Sequence, residues 1–539
     1  MKMLRSCMKL AAVAAVVLGM SACGGKQKKD SIGSKDLEVL SQLEIASNSS
    51  ASSVNLIPDN AIIALKVMPK QLFDKMLGDP NSALALQWNE LRFQLQMVAP
   101  AFSNPSKAGL NLDKPMIITL SGQIADVENE EAAIELCVVA DLTDRDLFIK
   151  SFDDLIEMAS DEAEISKDYT SSSYTHYVIA SDEIHAFDLG VMSKVLVARI
   201  KYDPAGNIGD LKKSMSQLFS NRGTEHAEGI QEFYSSGSDF AAWLDFGETM
   251  DFIMPLLNKE ESVDLKALDQ YMPMLETSSI VAGLDFQNGK TVFDVKLIGL
   301  DSVKEDINKY LTASSGRFLQ YLPSSSVMVA NIAFQNLDEL VDRVCEENEE
   351  LAEMFEALQE NIGLDDEMLA GLPGEVILAI DGDGINERET PGLMAIMECD
   401  SNLWEFIEGY LEEYATYEAE NTYMIQDTFY ISYSPYENAL LLIEANTYMG
   451  GFAETAFAEE IKNGGFVFDM TQLPDDVLDS IAAGEMYYMT GRELLEYASS
   501  LVIVPSADFM GATITLNMGD QSHNLLEKAV EIASEYMQY

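Results

Sequence analysis

A short acidic loop in the second half of the chain has residue types that can bind a divalent cation. Asp381, Asp383 and Glu387 place three carboxylates within a glycine-containing run of seven residues. A calcium-binding helix-loop-helix segment needs an oxygen ligand at its fifth position and glycine at its sixth, but Ile385 and Asn386 stand there. Because Asp and Gly favour turns, the leading interpretation is a turn between strands. The three carboxylates remain the candidate metal ligands.

Three tyrosines farther along the chain could form a ligand-binding surface. Tyr410, Tyr414 and Tyr417 recur at intervals of four and three residues, which places them on one side of a helix. An aromatic ring has an apolar face that can stack on a sugar and a hydroxyl that can bind polar groups. The simpler interpretation is that the rings pack in the core with their hydroxyls at the surface. A glycan-binding surface is the alternative.

Motifs that signal catalysis or nucleotide binding are not found in the sequence. Five residues separate Gly283 from Gly289, where a phosphate-binding loop needs four, and Asn288-Gly289 between alternating strands predicts a two-residue hairpin turn. The four histidines form no HExxH motif and no Cys/His cluster, no Gly-x-Ser-x-Gly segment occurs, and no Ser-x-x-Lys segment occurs after residue 22. Because a convergent triad leaves no local pattern, a non-enzymatic protein is favoured and a hydrolase is an alternative. No catalytic residue and no cofactor are predicted.

The N-terminus has the pattern of a secretory signal. Three basic residues precede the apolar run Leu10–Met20, and small residues then lead to Cys23. The run is too short and too basic at its start to be a membrane-spanning helix. The four residues that end at Cys23 resemble the bacterial lipobox, in which the cysteine becomes the diacylated N-terminus. We therefore predict a signal peptide over residues 1–22, cleavage between Ala22 and Cys23, and attachment to a membrane through a lipid on Cys23. An ordinary secreted protein is the alternative.

The charge balance excludes one class of partner. Ninety acidic residues stand against 34 basic ones, and the net charge is -56 at pH 7. Nucleic-acid affinity comes mainly from Lys and Arg that neutralise phosphates, so we predict no nucleic-acid partner. A hydrophobic content of 47% and a charged content of 23% are typical of a folded protein. Solubility is the simplest reason for the excess of carboxylates, and a basic partner or divalent ions are the alternative.

The cysteines outside the signal do not suggest a disulfide framework. Cys137, Cys345 and Cys399 are odd in number and widely spaced. We expect free thiols, mostly buried, with a bridge between Cys137 and Cys399 as the alternative.

The order of elements predicts two similar halves after a flexible tether. Residues 23–55 comprise the lipidated cysteine and a polar, serine-rich tether. Five strand and helix segments then recur in the same order in residues 56–315 and 316–539. Strands bounded by turns, with helices between hairpins, predict α+β halves built on mainly antiparallel sheets with packed helices.

Two further segments carry a family resemblance. Val54–Ala61 contains Ile-Pro-x-x-Ala, and Asn104–Pro115 contains Asn-Pro-x-x-x-Gly-Leu. With Cys23, these segments resemble a Bacteroides-type lipoprotein family of unknown function, domain of unknown function 4836. The resemblance covers essentially the whole mature chain and implies a cell-envelope location and no known catalysis. The acylated cysteine is the one functional residue that it carries over.

The residues after Cys23 favour one side of the membrane. Gly24 is compatible with sorting to the outer membrane, and Lys26, Lys28 and Lys29 stand where surface-exposed relatives often bear an acidic run. We therefore predict an outer-membrane lipoprotein on the periplasmic face. Its predicted role is non-enzymatic binding of an envelope protein or glycan. Glycan or divalent-cation binding, and hydrolysis without a local motif, are the alternatives.

Overall fold

The computed structural model describes residues 56–76, 89, 105–159, 166–171, 174–220, 227–257, 259, 272–347, 374–382, 392–445, 447–473 and 497–529. The chain divides into two compact units, residues 1–283 and 284–539. The predicted signal peptide (1–22) and the predicted tether (23–55), with Ala22 and Cys23, lie outside the described residues.

The first unit contains one antiparallel sheet. Its strands are β1 (Ala61–Val67), β2 (Met116–Asp126), β3 (Glu131–Asp141), β4 (Ser166–Thr170), β5 (Thr175–Ser181), β6 (His185–Val191), β7 (Val195–Tyr202), β8 (Phe240–Asp245) and β9 (Ser279–Gln287), which contains the division between the units. Its helices are α1 (Pro69–Met76), α2 (Arg145–Ala159), α3 (Leu211–Ser220), α4 (Ala227–Ser235), α5 (Phe246–Leu257) and the short α6 (Met272–Leu275). Antiparallel ladders give the strand order β4-β5-β6-β7-β3-β2-β1-β8.

The second unit is also built on an antiparallel sheet. Its strands are β10 (Lys290–Ile298), β11 (Leu311–Thr312), β12 (Ser326–Phe334), β13 (Gly374–Asp381), β14 (Gly392–Glu398), β15 (Thr416–Ala419), β16 (Thr422–Ile425), β17 (Phe429–Ser434), β18 (Ala439–Glu444), β19 (Gly465–Asp469), β20 (Ala498–Pro505) and β21 (Gly511–Met518). Its α-helices are α7 (Asp301–Tyr310), α8 (Leu337–Glu347), α9 (Ser401–Tyr414) and α10 (Ala456–Glu460). The strand order is β15-β16-β17-β18-β14-β13-β12-β19-β20-β21-β10, and β11 pairs with the end of β12.

Single turns of 3₁₀ helix complete the two units. They are Pro105–Ala108, Arg317–Tyr321, Phe452–Glu454 and Met470–Gln472.

Local sequence explains where several helices begin. A side-chain oxygen of Asp144 accepts a hydrogen bond from the Leu147 amide at 2.9 Å, at the start of α2. Asp400 does the same for the Leu403 amide at 2.8 Å, at the start of α9. An aspartate before the first turn satisfies one of the amides that a helix leaves unpaired, which stabilises the helix start.

Each unit has its own apolar core. In the first unit, Phe148 of α2 packs with Tyr177, Leu189 and Leu196 of the sheet. In the second unit, one cluster joins the central strands to the turns around Phe318 and Phe452. A separate cluster places α9 on β16 and β17. Burial of these faces supplies most of the driving force for folding.

The structure confirms an α+β fold based on antiparallel sheets. It also confirms the hairpin at Asn288-Gly289, because β9 pairs with β10 and Gly289 has a φ of 78°. The division between the two compact units, after residue 283, falls earlier in the chain than the predicted boundary between residues 315 and 316. The reason is that β10 pairs with β21 and therefore belongs by contact to the second unit. The two repeat domains stay a prediction.

The described cysteines are free, as expected. Cys137 and Cys399 are both buried, and neither forms a disulfide, so the alternative of a bridge between them is wrong. Burial raises the pKa of the Cys399 thiol to about 12, which keeps it protonated and unreactive.

Candidate ligand-binding surface

The second unit carries a row of aromatic side chains on its surface. Phe406, Tyr410 and Tyr414 follow one another along α9, and Tyr417 lies on the adjoining strand β15, so the expectation that the three tyrosines share one side of a helix is wrong for Tyr417. We call these four residues the tyrosine ladder. The ring centroids of Phe406 and Tyr410 are 6.3 Å apart, and those of Tyr410 and Tyr414 are 5.7 Å apart with planes inclined by 26°. Aromatic rings at these distances support one another's orientation.

Packing of α9 on the sheet fixes the position of the ladder. Leu403, Trp404 and Leu411 are buried, and the Trp404 ring stacks on Tyr433 of β17 at 5.3 Å. Tyr414 is the last residue of α9, and its side chain is exposed at the end of the packed helix. The ladder is therefore held by a rigid element rather than by a loop.

The three tyrosines predicted as candidate ligand-binding residues are exposed. The exposed fractions are 41% for Tyr410, 70% for Tyr414 and 63% for Tyr417. The simpler expectation, that all three rings pack in the core, is wrong. The core positions belong instead to Tyr423 and Tyr433.

Tyr417 adjoins this core through Tyr423. Its ring contacts the Tyr423 ring edge to face, at 5.6 Å. β15 is exposed at all four positions, and in the described part of the chain it pairs with β16 alone.

Exposed carboxylates lie on the same two elements as the ladder. Glu405, Glu412 and Glu413 are exposed on α9, and Glu418 and Glu420 lie on or next to β15. The Glu408 side chain already has a partner within the protein, because it accepts a hydrogen bond from the Tyr423 hydroxyl at 3.1 Å. Burial and this hydrogen bond raise the pKa of Tyr423, so it stays a neutral donor. Aromatic faces next to carboxylates can bind sugars or cations.

Of the three predicted metal ligands, Asp381 lies within the described residues. Asp381 is the last residue of β13, is buried, and accepts a hydrogen bond from the Ser325 hydroxyl at 2.6 Å. Asp383 and Glu387 lie outside the described residues. Across the part of the chain that the structure describes, no group of three or more His, Cys, Asp or Glu side chains could hold a metal ion.

One Ser/His/Asp cluster escaped the sequence search. The Ser522 hydroxyl lies 3.0 Å from His523 Nδ1, and the same Nδ1 lies 2.6 Å from Asp520 Oδ2. In a catalytic triad the serine contacts one ring nitrogen and the aspartate orients the other. Here both partners share one nitrogen, and the Ser522 hydroxyl also donates to Asp520 at 2.5 Å. The geometry is that of a capped turn and does not activate a nucleophile.

A second feature missed by the sequence search is a buried ion network in the first unit. Arg199 donates to both carboxylate oxygens of Asp188, at 3.0 and 2.7 Å, and to the Leu211 carbonyl at 2.9 Å. His176 lies between Asp188, 3.0 Å from Nε2, and Asp168, 3.4 Å from Nδ1. Alternating polar residues on neighbouring strands were the available signal. Because Arg199, Asp188 and His176 are fully buried, the network belongs to the interior of the unit and presents no surface to a ligand.

A shallow depression of about 580 Å³ lies along α7 and is lined partly by Lys304 and Lys309. Lys304 pairs with Asp508 at 3.0 Å, and Lys309 pairs with Glu339. The two lysines of the depression are therefore already paired with carboxylates, so the depression is a weaker candidate for a ligand-binding site than the ladder. Within the described ranges, no helix has the length and apolar character needed to span a membrane.

Comparison with known proteins gives one family. The sequence profile described as "Domain of unknown function (DUF4836)" matches residues 55–450. A search of curated proteins found no match. The crystal form I structure of TP0453 shares 12% identity with this chain, over 49% of this chain and 88% of that chain, with a TM-score of 0.24. Similarity at that level does not indicate a shared fold or function.

Proposed function

This chain belongs to the DUF4836 family, whose function is unknown, and from that premise we propose that it is a lipid-anchored cell-envelope protein that binds a partner without catalysis. The tyrosine ladder is the proposed contact surface. The observation that carries the proposal is the exposure of Tyr414 and Tyr417 on rigid elements among unpaired carboxylates. Large aromatic rings in such positions are enriched where proteins bind partners.

The proposed anchor rests on the N-terminal sequence. The apolar run Leu10–Met20 precedes Cys23 with the spacing of a lipoprotein signal. Removal of residues 1–22 leaves Cys23 to carry the lipid, and the serine-rich tether up to residue 55 gives the folded body freedom to move away from the bilayer. We place the protein on the periplasmic face of the outer membrane.

We also propose that the body arose by duplication, with repeat domains at residues 56–315 and 316–539. The strand order β4-β5-β6-β7-β3-β2-β1-β8 corresponds position by position to β15-β16-β17-β18-β14-β13-β12-β19. Asp144 caps α2, which follows β3, and Asp400 caps α9, which follows β14, so the two capped helices occupy equivalent positions along the chain. Agreement in topology and in capping residues supports a common origin better than either would alone.

A glycan is the second candidate ligand. The Tyr414 and Tyr417 rings are exposed enough for a sugar to stack on them, and neighbouring carboxylates can accept hydrogen bonds from sugar hydroxyls. This candidate shares its site with the first, so one set of variants tests both.

Two experiments on the full-length chain test the proposal. The first compares the wild type with Cys23→Ser in cells fed labelled palmitate. We expect label and membrane sedimentation in the wild type and loss of both in the variant. Retention of both by Cys23→Ser would refute the anchor.

The second experiment places a photo-crosslinking amino acid at Tyr414 in intact cells, with Tyr436 as the control. Tyr436 lies in the turn between β17 and β18 and is also exposed. We expect a discrete adduct from position 414 and none from position 436. Equal labelling at both positions would contradict a specific contact surface.

A further inference from the structure

We propose that the tyrosine ladder recognises an extended, lysine- and arginine-rich polypeptide segment of another envelope protein. This inference rests on the proposed function and names the chemistry of the partner at the same surface. It uses three observations: the charge of the surrounding sequence, the lack of internal partners for the carboxylates, and the arrangement of the exposed rings.

The stretch that contains the ladder is uniformly acidic. Residues 389–461 include fifteen Asp and Glu residues and no Lys, Arg or His. A surface without compensating cations has a negative potential that attracts positively charged partners and accelerates their association. The same potential repels phosphorylated, sulfated and uronic-acid ligands.

The carboxylates beside the ladder are available to a partner. Glu405, Glu412, Glu413, Glu418 and Glu420 make no ion pair or hydrogen bond through their side chains with the part of the chain that the structure describes. Elsewhere on the second unit, some exposed acids are paired internally, as Asp306 is with Arg343 at 3.2 Å. A cation that binds at the ladder therefore displaces no internal partner.

The rings add a second source of affinity for cations. An ammonium or guanidinium group over an exposed aromatic face gains about 0.5–1 kcal/mol. Tyr414 and Tyr417 each offer such a face next to a glutamate, Glu413 and Glu418 respectively. Consecutive side chains point in different directions on a helix and to opposite faces of a strand, so the rings and the glutamates bind successive cations of a partner.

The length of the ladder favours a chain of cations over a single ion. From Phe406 to Tyr414 the helix rises about 12 Å, at about 1.5 Å per residue, and Tyr417 is exposed three residues farther along the chain, on β15. Carboxylates spread along such a row cannot converge on one metal ion, but successive basic side chains of an extended polypeptide can reach them. A neutral glycan would leave the carboxylate charges uncompensated.

The test measures binding of a fluorescent (Lys-Gly)₆ peptide to the full-length protein in a non-ionic detergent, by anisotropy. The same peptide with acetylated lysines is the ligand control, and chitohexaose is the glycan probe. We expect the lysine peptide to bind, the acetylated peptide to bind at least tenfold more weakly, and added salt to weaken binding because exposed charges are screened.

Matched variants separate the ladder from the general acidity of the protein. Tyr414→Ala with Tyr417→Ala should weaken peptide binding about tenfold, whereas Tyr436→Ala with Tyr448→Ala should leave it unchanged. The control tyrosines are 97% and 77% exposed, so both pairs remove two surface rings. Glu412→Gln with Glu413→Gln should weaken binding severalfold. Glu459→Gln with Glu460→Gln on α10 removes the same charge and should have little effect.

The outcomes are distinguishable. Equal loss in the ladder and control variants would overturn the inference, because binding would then reflect net charge alone. Binding of chitohexaose that depends on Tyr414 and Tyr417, without binding of the peptide, would overturn the inference but keep the ladder as a ligand site. Failure of both probes overturns the inference, and if position 414 also gives no adduct in cells, the proposed contact surface fails with it.

Discussion

Lys66 and Asn331 occupy equivalent positions in β1 and β12, and each binds the C-terminal end of a helix. For Lys66 this helix is α4, which precedes β8, and for Asn331 it is α10, which precedes β19. Lys66 Nζ donates to the carbonyls of Tyr234, at 3.0 Å, and Ser236, at the end of α4. Asn331 Nδ2 donates to the carbonyls of Ile461 and Lys462, at 2.9 and 3.3 Å, just after α10. Helix ends leave carbonyls unsatisfied, and a buried side chain supplies the missing donor in both places.

Replacing Lys66 by Met should loosen the end of α4. The substitution leaves two carbonyls without their buried donor, and we expect a loss of about 1–3 kcal/mol in stability. Hydrogen exchange of a peptide that covers Ala227–Ser235 measures this loss of stability at α4. Asn331→Leu is the matched control, and it should accelerate exchange around α10 instead. Unchanged exchange at α4 in Lys66→Met would show that the donor is dispensable.

The buried lysine also predicts a pH dependence. Burial lowers the pKa of Lys66 from 10.5 to about 8. Between those values the unfolded chain binds more protons at this residue than the folded chain does, so the free energy of unfolding rises with pH from about 8 to 10.5. Urea titrations across that range should show an increase in the wild type that is smaller in Lys66→Met. The same increase in both proteins would contradict the assignment to Lys66.

His176 should give a pH dependence of opposite sign. Burial disfavours its charged form, but hydrogen bonds to Asp168 and Asp188 outweigh burial and raise its pKa above 6.5. Its contribution is therefore fully present below pH 6.5 and is lost as pH rises through the folded-state pKa. Hydrogen exchange of peptides spanning β4–β6 should accelerate with rising pH beyond the intrinsic rate change.

His176→Gln tests this expectation directly. Gln cannot be charged, so the local stability should be lower at pH 6 and the pH-dependent part should disappear. Asp168→Asn is the companion variant, because it keeps the shape while removing one carboxylate, and it should reduce the effect without abolishing it. Persistence of the full pH effect in His176→Gln would assign it to another group.

Asp400 should be needed to stabilise the helix that carries the ladder. Asp400→Ala removes the hydrogen bond to the Leu403 amide, and loss of such a cap costs about 0.5–2 kcal/mol. Circular dichroism and hydrogen exchange over Ser401–Tyr414 measure the change. Asp400→Ser retains a capping oxygen and should recover most of the stability. If both variants behave alike, the cap does not limit the stability of α9.

Two glycines should respond to substitution in opposite ways. Gly409 lies in α9, and a Cβ added there meets no atom within 4 Å, so Gly409→Ala should stabilise the helix by about 0.5–1 kcal/mol. Gly289 has a φ of 78°, and its Cβ would lie 3.1 Å from Cα of Gln521. Gly289→Val should therefore destabilise the hairpin by about 1–3 kcal/mol. Thermal unfolding of both variants tests the contrast, and a lower midpoint for Gly409→Ala would contradict it.

Sequence by itself determined the parts of this protein that depend on neighbouring residues in the chain. The turn at Asn288-Gly289, the order of strands and helices and the antiparallel class follow from turn residues and from the periods of apolar positions. These signals act over a few residues, so they can be read without knowledge of the sheet. The acidic, base-free stretch around the ladder is likewise a property of composition.

Tertiary structure alone decided which polar and aromatic groups are buried. Asp168, His176, Asp188 and Arg199 come from four successive strands, and only strand pairing brings them into one network. Tyr414 and Tyr423 have the same side chain, yet Tyr423 is buried against Trp404 of α9, whereas Tyr414, at the end of that helix, is exposed. Burial depends on which surfaces meet across long distances in the chain, and local periodicity does not specify those contacts.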